Sequence, residues 1–300
     1  MTQLDVCPIC GGAEIARRYN GRPVRAEWRD EKTFDVFGCA DCAHGFLNPV
    51  LDEASLAAYY DAQYVAYQSG HGTGDLQPAI DRARREKRFR HVDLHEDMDV
   101  LDIGCGSGSF LHVIRGIVGS VQGVEPSGHG VATCRDLGIP VFHGGMEAFV
   151  ESDERGYDLI TLNHVLEHHP DPCRLLELCR SRLKQGGRIW IAVPNAGSFF
   201  ARALKSKWHS SDLPVHLQQF SPGSLARALE EAGFEIEDLR TESENSLPSS
   251  ASAWLRGFGI PGRVSGPLVR RAFSKTGAIG RRMDAAGHGE AILVSAHRAG

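Results

Sequence analysis

The sequence lacks any apolar run long enough to cross a membrane, and its first ten residues lack the basic start and apolar stretch of a secretory signal. We therefore expect a cytoplasmic protein with no membrane partner. The chain also lacks the basic excess of most polyanion-binding proteins, because its net charge at pH 7 is −5. A nucleic-acid partner is disfavoured for that reason.

Eight cysteines in a chain without a secretory signal indicate thiols or metal ligands and not disulfides. Four of them form two C-x-x-C pairs, Cys7 with Cys10 and Cys39 with Cys42. Four thiolates at this spacing can close a tetrahedral zinc site that has no open position for water, which makes it structural. We therefore predict a zinc ribbon in residues 1–48; free cysteines or a redox pair are the alternatives. The other four are expected to pack as small core residues: Cys105, Cys134, Cys173 and Cys179.

The rest of the chain predicts a helical connector over residues 49–96 and a larger domain over residues 97–300. In the larger domain, short apolar runs alternate with amphipathic stretches, which indicates a parallel sheet covered by helices on both faces. We predict a Rossmann-like α/β fold with seven mostly parallel strands. An insert of about residues 245–289 precedes the last strand. The predicted strands cover 100–103, 121–124, 140–142, 157–162, 188–193, 234–239 and 291–296, and the predicted helices cover 109–117, 128–137, 171–183 and 222–232.

A glycine-rich segment, V-L-D-I-G-C-G-S-G-S-F, runs from Val100 to Phe110 and joins a predicted strand to a helix start. Glycines there let the backbone turn tightly and let a ligand approach closely. The third glycine comes one place earlier than the dinucleotide fingerprint requires. Asp102 stands two places before the first glycine, and a carboxylate there would repel a pyrophosphate. It suits a ligand with local positive charge, such as an aminoacyl sulfonium, and disfavours a dehydrogenase.

Glu125 ends the next predicted strand, where a ribose-binding acid is expected after such a loop. Its two oxygens can accept hydrogen bonds from both ribose hydroxyls; the alternative is an ordinary surface acid at a strand end. At this point the chain closely resembles class I S-adenosylmethionine-dependent methyltransferases of the small-molecule type, over about residues 97–243. The phrases that carry the resemblance are the glycine-rich segment, G-V-E-P-S, Y-D-L-I-T-L-N-H-V-L-E-H-H-P-D-P, L-K-Q-G-G-R-I-W-I-A-V-P-N and H-L-Q-Q-F-S-P-G-S-L.

The resemblance implies how the cofactor is held. In that family the glycine loop lies against the methionine moiety, and the acid that ends the second strand holds the ribose. Residues just after the third strand flank the adenine, and the end of the fourth strand lines the sulfonium. One departure is His143-Gly144-Gly145, which stands where many members carry an acid. The implied cofactor-binding residues are Asp102, Gly104, Gly106, Glu125, Met146 with Glu147, Asn163 and His164.

Methyl transfer to a protic oxygen or a carbon acid needs a base nearby, and two histidine clusters compete for that role. The first follows the fourth strand, and its segment from His164 to His168 matches the H-x-x-E-H metallopeptidase string. We do not expect a peptidase metal site, because Pro170 and Pro172 break the helix that its ligands would need. His168 is a candidate base; alternatively, these histidines only shape the cofactor pocket.

The second cluster contains His216, in the long loop of residues 196–221. Loops at the carboxyl ends of parallel strands form the ligand crevice, and a loop this long is usually functional. The stretch is similar to the P-x-H-L-x-x-F segment of small-molecule methyltransferases. We favour His216 as the base or as a substrate ligand. The alternative is a hydrogen bond that orders the loop.

The resulting hypothesis is an S-adenosylmethionine-dependent methyltransferase that acts on oxygen or carbon of a small molecule, either a sugar nucleotide or a natural-product intermediate. The substrate class comes from the resemblance alone. One alternative is an RNA methyltransferase whose ribbon binds RNA, and another is a non-catalytic zinc-ribbon interaction protein; the intact glycine loop opposes the latter. The sequence leaves the oligomeric state open. The arginines that favour the RNA alternative are Arg17, Arg18, Arg22, Arg25, Arg29 and those between 82 and 90.

Overall fold

The computed structural model describes residues 1–23, 32–52, 94–243, 247–258 and 278–299, with single positions at 55, 56, 59, 81 and 269. Most of the predicted helical connector, residues 49–96, therefore lies outside the described residues. The strands in the described ranges are β1 Ile15–Gly21, β2 Phe34–Cys39, β3 Gly45–Leu47, β4 Asp99–Ile103, β5 Ser120–Glu125, β6 Val141–His143, β7 Tyr157–Asn163, β8 Leu183–Pro194, β9 Gln218–Gln219, β10 Phe234–Glu242 and β11 Ala291–Arg298. The helices there are α1 Ser109–Ile114, α2 Gly128–Asp136, α3 Met146–Ser152, α4 Pro172–Arg182, α5 Phe199–Leu204, α6 Pro222–Glu231, α7 Leu247–Gly257 and α8 Ala278–Ala285.

Seven strands form one sheet in the order β10-β11-β8-β7-β4-β5-β6. Strands β4 to β8 run parallel, and β11 runs antiparallel between β8 and β10. The predicted Rossmann-like sheet is therefore confirmed. Its chain order reverses at β4, whose neighbours are β5 on one side and β7 on the other. A crevice for a ligand opens at the carboxyl ends of the strands at such a reversal.

Both faces of this sheet are buried, because its strands carry apolar side chains at successive positions. Leu101 and Ile160 belong to one core cluster, whereas Val100 and Leu159 belong to the other. Successive side chains of a strand point to opposite faces, so the continuous apolar runs supply both clusters. All four side chains are at most 1% exposed. Across the described ranges, no helix combines the length and apolar character that a bilayer span requires.

Several element boundaries differ from the sequence expectations. The helix predicted over 109–117 ends at Ile114, just ahead of Gly116. Strand β8 begins at Leu183 and not at 188, because Leu183 pairs with Tyr157 across an irregularity in the ladder. Helix α3 was not predicted at all. It starts directly after Gly144 and Gly145, two residues that indicate a loop and hide the short apolar face behind them.

The long loop of residues 196–221 is largely ordered. It contains α5, two turns of 3-10 helix at Lys205–Lys207 and His209–Ser211, and β9. Helix α7, from the segment between β10 and β11, packs on this loop: Ala251 shares a buried cluster with Phe200 and Trp208. The Trp208 indole also donates a hydrogen bond to Glu290 at 3.0 Å. The loop is thus fixed both by the insert and by the start of β11.

The cysteine-containing segment forms a second sheet with the order β1-β2-β3-β9, and its pairings are antiparallel. The outer strand β9 belongs to the long loop and not to the cysteine-containing segment. Phe46 pairs with Gln218, and the Leu47 amide donates to the Leu217 carbonyl at 2.8 Å. The ribbon sheet is therefore completed by the larger domain.

His44 fixes this contact from the interior. Its ring is fully buried, its Nε2 lies 2.9 Å from Gln218 Oε1, and its Nδ1 lies 3.4 Å from Ser224 Oγ. Burial lowers the pKa of His44 to about 4, so the ring is neutral near pH 7. The Gln218 amide nitrogen in turn donates to the His169 carbonyl at 3.0 Å. A chain of hydrogen bonds through His44 and Gln218 therefore connects the ribbon to the segment after β7.

We expect His44→Ala to lower the free energy of unfolding by about 2–4 kcal/mol, because it opens a cavity and leaves buried Gln218 and Ser224 groups without this partner. Urea unfolding followed by circular dichroism measures the change. The matched control is His95→Ala, since His95 is exposed. Equal stability of the two variants would show that His44 does not hold the ribbon to the domain.

Candidate active site and cysteine cluster

The glycine loop after β4 has the backbone shape that its sequence predicts. Gly104, Gly106 and Gly108 have φ angles of 63°, 56° and 71°, the left-handed region that glycine adopts without strain. A Cβ on Gly104 would come within 2.6 Å of a Val165 methyl group, whereas a Cβ on Gly106 would meet no atom within 4 Å. The loop is thus packed on one side and open at Gly106.

Glu125 closes the loop from the end of β5. Its Oε2 accepts a hydrogen bond from the Gly106 amide at 2.9 Å, and its Oε1 accepts one from the Ser127 amide at 2.8 Å. The side chain is 2% exposed, so it is not the ordinary surface acid of the alternative interpretation. A carboxylate has about four lone-pair positions, so each oxygen can still accept another donor. Gly130 must be glycine here, because a Cβ would lie 2.8 Å from the Glu125 Cγ.

Asp102 lies at the buried end of β4, next to the parallel strand β7. Its Oδ1 accepts a hydrogen bond from the Thr161 hydroxyl at 2.6 Å, and the residue is 4% exposed. Thr161 is an uncharged partner. A buried carboxyl group at the loop entrance suits a ligand group with positive charge.

The remaining predicted cofactor residues lie along the same edge of the sheet. Asn163 ends β7, and His164 follows it with a φ of 56°, a left-handed conformation that is uncommon outside glycine. Met146 begins α3 and is 3% exposed within the core. Glu147 follows and lies 3.4 Å from His169 Nε2. The roles of Met146, Asn163 and His164 toward a cofactor stay predictions.

The two histidine clusters of the sequence meet in space. The loops after β7 and β8 bring His168 and His216 together, with ring centroids 4.6 Å apart at an interplanar angle of 79°. Glu167 joins them, and one ligand atom from each of the three residues lies within 4.8 Å of the others. We call Glu167, His168 and His216 the histidine–glutamate cluster. His168 is half-buried and the other two are buried.

Hydrogen bonds fix both imidazole rings. His168 Nδ1 lies 2.9 Å from the Val215 carbonyl, and His216 Nδ1 lies 2.8 Å from the Ser210 carbonyl. A carbonyl only accepts, so each Nδ1 carries a proton, and the lone pair of a neutral ring is on Nε2. Burial, assisted by the neighbouring His216, lowers the pKa of His168 to about 4. That ring is therefore neutral near pH 7.

Glu167 is ionised despite its burial. Burial opposes the charge, but the hydrogen bond from His164 Nδ1 at 3.0 Å outweighs it, and the pKa of Glu167 is held at about 2. The segment from His164 to His168 contains only a 3-10 turn at Leu166–His168, so the metallopeptidase helix is not formed.

A second buried acid, Asp212, lies in the crevice, and the sequence motifs did not indicate it. Asp212 is 5% exposed, adopts a left-handed φ of 33°, and places its Oδ2 3.9 Å from His216 Nε2. The amides of Val215 and His216 both donate to its carbonyl, which closes the turn that carries His216. The four-residue spacing of Asp212 and His216 was the only signal in the sequence. Thr161 and Gln218 lie in segments that carry the family resemblance, but no spacing singled them out.

The four ribbon cysteines converge as predicted. Cys7 Sγ lies 3.6 Å from Cys42 Sγ, and Cys10 Sγ lies 3.6 Å from Cys39 Sγ. All four sulfur atoms are within 4.8 Å of one another. Sulfur atoms about 2.3 Å from a tetrahedral zinc ion lie about 3.8 Å apart, close to these two separations of 3.6 Å.

Comparison with known proteins gives a consistent result. A family model described as a methyltransferase domain matches residues 74–239, more than half of the chain. A ubiquinone biosynthesis O-methyltransferase of Thiobacillus denitrificans is 26% identical over 178 residues, which cover 53% of this chain and 75% of that protein. The protein of the same name from Burkholderia vietnamiensis is 30% identical over 158 residues, covering 49% of this chain and 67% of its own.

Among solved structures, a chain of the Haloferax volcanii complex between the Trm112 methyltransferase activator and a methyltransferase superposes with a TM-score of 0.52 at 16% identity. The match covers 73% of this chain and 92% of that one. This fold and this glycine-loop site define a class I S-adenosylmethionine-dependent methyltransferase. The chain belongs to the methyltransferase domain family whose model matches residues 74–239.

The residues at the crevice fit S-adenosylmethionine. Gly106 leaves open space where any side chain would project, and the buried carboxylate of Glu125 stands directly beside it. The buried Asp102 supplies negative charge at the loop entrance, which suits an ammonium or sulfonium group. Bound there, the cofactor supplies an electrophilic methyl group on a positively charged sulfur.

We expect Glu125→Ala to weaken S-adenosylmethionine binding at least about tenfold, because each hydrogen bond to a charged group contributes about 1.5–3 kcal/mol. Isothermal titration calorimetry measures the affinity, and NAD should not bind. Glu151→Ala, an exposed acid on α3, is the matched control. Unchanged affinity in Glu125→Ala would exclude a ribose contact at this carboxylate.

Proposed function

We propose that the protein transfers the methyl group of S-adenosylmethionine to a small-molecule acceptor, and that the acceptor is activated at the histidine–glutamate cluster. The observation that carries this proposal is the contact between His168 and His216, whose ring centroids are 4.6 Å apart at the crevice. Both Nδ1 atoms are engaged by backbone carbonyls, so the Nε2 atoms are the ones suited to accept a proton.

In the proposed reaction the chain aligns the acceptor and receives its proton. Methyl transfer is an in-line displacement, so much of the catalysis comes from orientation of the nucleophile toward the methyl carbon. His216 is the proposed base and His168 is the second candidate. Trp208 and α7 hold the loop that carries His216, which keeps its ring in place.

The acceptor atom is proposed to be oxygen, and carbon is the alternative. The relatives that resemble the chain are named O-methyltransferases, which favours a hydroxyl acceptor. Acceptor classes to be tested are phenols, sugar nucleotides and hydroxylated natural-product intermediates.

RNA is the rival acceptor. Of the ribbon arginines, Arg17 lies 3.6 Å from Asp35, and Arg25 and Arg29 lie outside the described residues.

The test is methyl transfer from radiolabelled S-adenosylmethionine to a panel of these acceptors, with bulk RNA included. We expect turnover on a hydroxylated small molecule. With that acceptor, His216→Ala should lower kcat on the order of 10²–10⁴-fold, the usual contribution of a positioned base, while cofactor affinity stays nearly unchanged.

The outcomes separate the possible roles of the histidines. A loss confined to KM in His216→Ala would mean that His216 only orders the loop. Full turnover in that variant, with an inactive His168→Ala that still binds cofactor, would assign the base to His168. Transfer to RNA alone, weakened by salt, would refute the small-molecule proposal.

We also propose that the four-cysteine cluster holds one structural zinc ion. Two of its thiols, Cys7 and Cys39, are buried, and they belong to the same core cluster as the main sheet. A closed set of four thiolates has no open position for a substrate, so the ion would only stabilise the ribbon. Metal binding and folding are one equilibrium in such modules.

We expect Cys39→Ser to reduce the zinc content by one atom per chain and to loosen the first 48 residues. Elemental analysis and limited proteolysis measure the two effects. Cys173→Ser is the matched control, because Cys173 contacts the Pro8 carbonyl at 3.6 Å but lies outside the cluster. Wild-type zinc content in Cys39→Ser would contradict the proposed site.

A further inference from the structure

The histidine–glutamate cluster has features that a proton acceptor alone does not require. Its two imidazoles each donate Nδ1–H to a backbone carbonyl, of Val215 for His168 and of Ser210 for His216. This arrangement is the usual outer-shell contact of a metal-binding histidine, because it fixes the ring and directs the Nε2 lone pair toward the ion. Two rings fixed in the same way beside each other point to a shared ligand.

Glu167 supplies a carboxylate oxygen to the same place. Its Oε1 accepts the hydrogen bond from His164, but its buried Oε2 has no hydrogen-bond partner among the described residues. The side chain is 1% exposed, so bulk solvent does not reach this oxygen. A buried carboxylate oxygen in this state costs free energy unless a cation or a donor meets it.

The separations suit a metal ion. One ligand atom from each of Glu167, His168 and His216 lies within 4.8 Å of the others. Ligands about 2.1 Å from a metal lie at most about 4.2 Å from one another, so a shift of less than about 1 Å would close the site. Asp212 adds a second buried carboxylate, with its Oδ2 3.9 Å from His216 Nε2.

We infer that Glu167, His168 and His216 bind one divalent transition-metal ion at the acceptor side of the crevice. Two imidazoles and one carboxylate are ligands that suit Zn²⁺, Fe²⁺, Co²⁺ or Mn²⁺ better than Ca²⁺ or Mg²⁺, which prefer oxygen. Three protein ligands leave positions open for another molecule. This ligand set differs from the peptidase string, because its third member comes from the loop after β8.

The inference deepens the proposed function and rests on it only for the identity of the molecule at the open positions. An acceptor hydroxyl that coordinates the ion would have a lowered pKa and lose its proton more easily. His168 and His216 would then act as metal ligands and not as bases. The binding of the ion itself can be measured without any acceptor.

The experiment is titration of the full chain, with its native zinc retained, by Mn²⁺. Electron paramagnetic resonance of the free ion gives the stoichiometry, and electron spin-echo modulation reports imidazole nitrogen next to bound Mn²⁺. We expect one Mn²⁺ per chain with nitrogen modulation. Glu167→Gln and His216→Asn should each weaken binding at least about 100-fold.

His169→Asn is the matched control, because His169 adjoins His168 in sequence but its Nδ1 lies 2.6 Å from the Asp171 carbonyl, outside the cluster. It should bind Mn²⁺ like the wild type. Unchanged S-adenosylmethionine affinity shows that each variant is folded. If Glu167→Gln does not fold, His216→Asn provides the test. Absence of saturable binding in the wild type, or binding by Glu167→Gln within threefold of it, would overturn the inference.

Failure of the inference and failure of the proposed function give different results. Protein that retains its ribbon zinc but has no metal at the histidine–glutamate cluster, and that methylates a small molecule at the wild-type rate, would refute the metal role but leave the methyltransferase proposal intact. Mn²⁺ bound with the expected nitrogen modulation, in a protein that methylates only RNA, would support the metal site and refute the small-molecule acceptor.

Discussion

The antiparallel pairing of β3 with β9 is the contact on which the rest of the candidate site depends. Strand β9 belongs to the loop that carries His216, so the backbone pairing of Phe46 with Gln218 positions the cysteine ribbon and the crevice wall together. The buried His44 ring adds a side-chain contact to the same strand. Without the ribbon, the edge of β9 and the buried Gln218 and Ser224 side chains would lose these partners, and the His216 turn would lose its support.

The crevice combines two kinds of buried charge with different neighbours. Glu125 is surrounded by backbone amides, which stabilise a carboxylate and make its geometry rigid before any ligand binds. Glu167 has one imidazole partner and one unsatisfied oxygen, an arrangement with a higher free energy. The first acid has a fixed position before any ligand binds. The second would be stabilised further by a cation or a hydrogen-bond donor at its Oε2.

The sequence predicts the parts of this structure that depend on local patterns. Continuous apolar runs located the parallel strands, and the glycine spacing with Asp102 located the loop, because each follows from residues that are adjacent in the chain. The convergence of His168 with His216 needed the strand order, since the two lie in loops after β7 and β8. The β9 pairing and Asp212 were missed for a similar reason. Two polar glutamines and a D-x-x-x-H spacing have no pattern that distinguishes them from an ordinary loop.

The pairing between β3 and β9 also bears on how the chain is made. The ribbon strands leave the ribosome first, but their outer neighbour at Gln218–Gln219 follows after most of the larger domain has been synthesised. Until then the edge of β3 lacks this partner, and an exposed strand edge is a site where other chains can add. In a nascent chain, the edge of β3 therefore depends on β9, or on a chaperone until β9 is made, to prevent pairing with another chain.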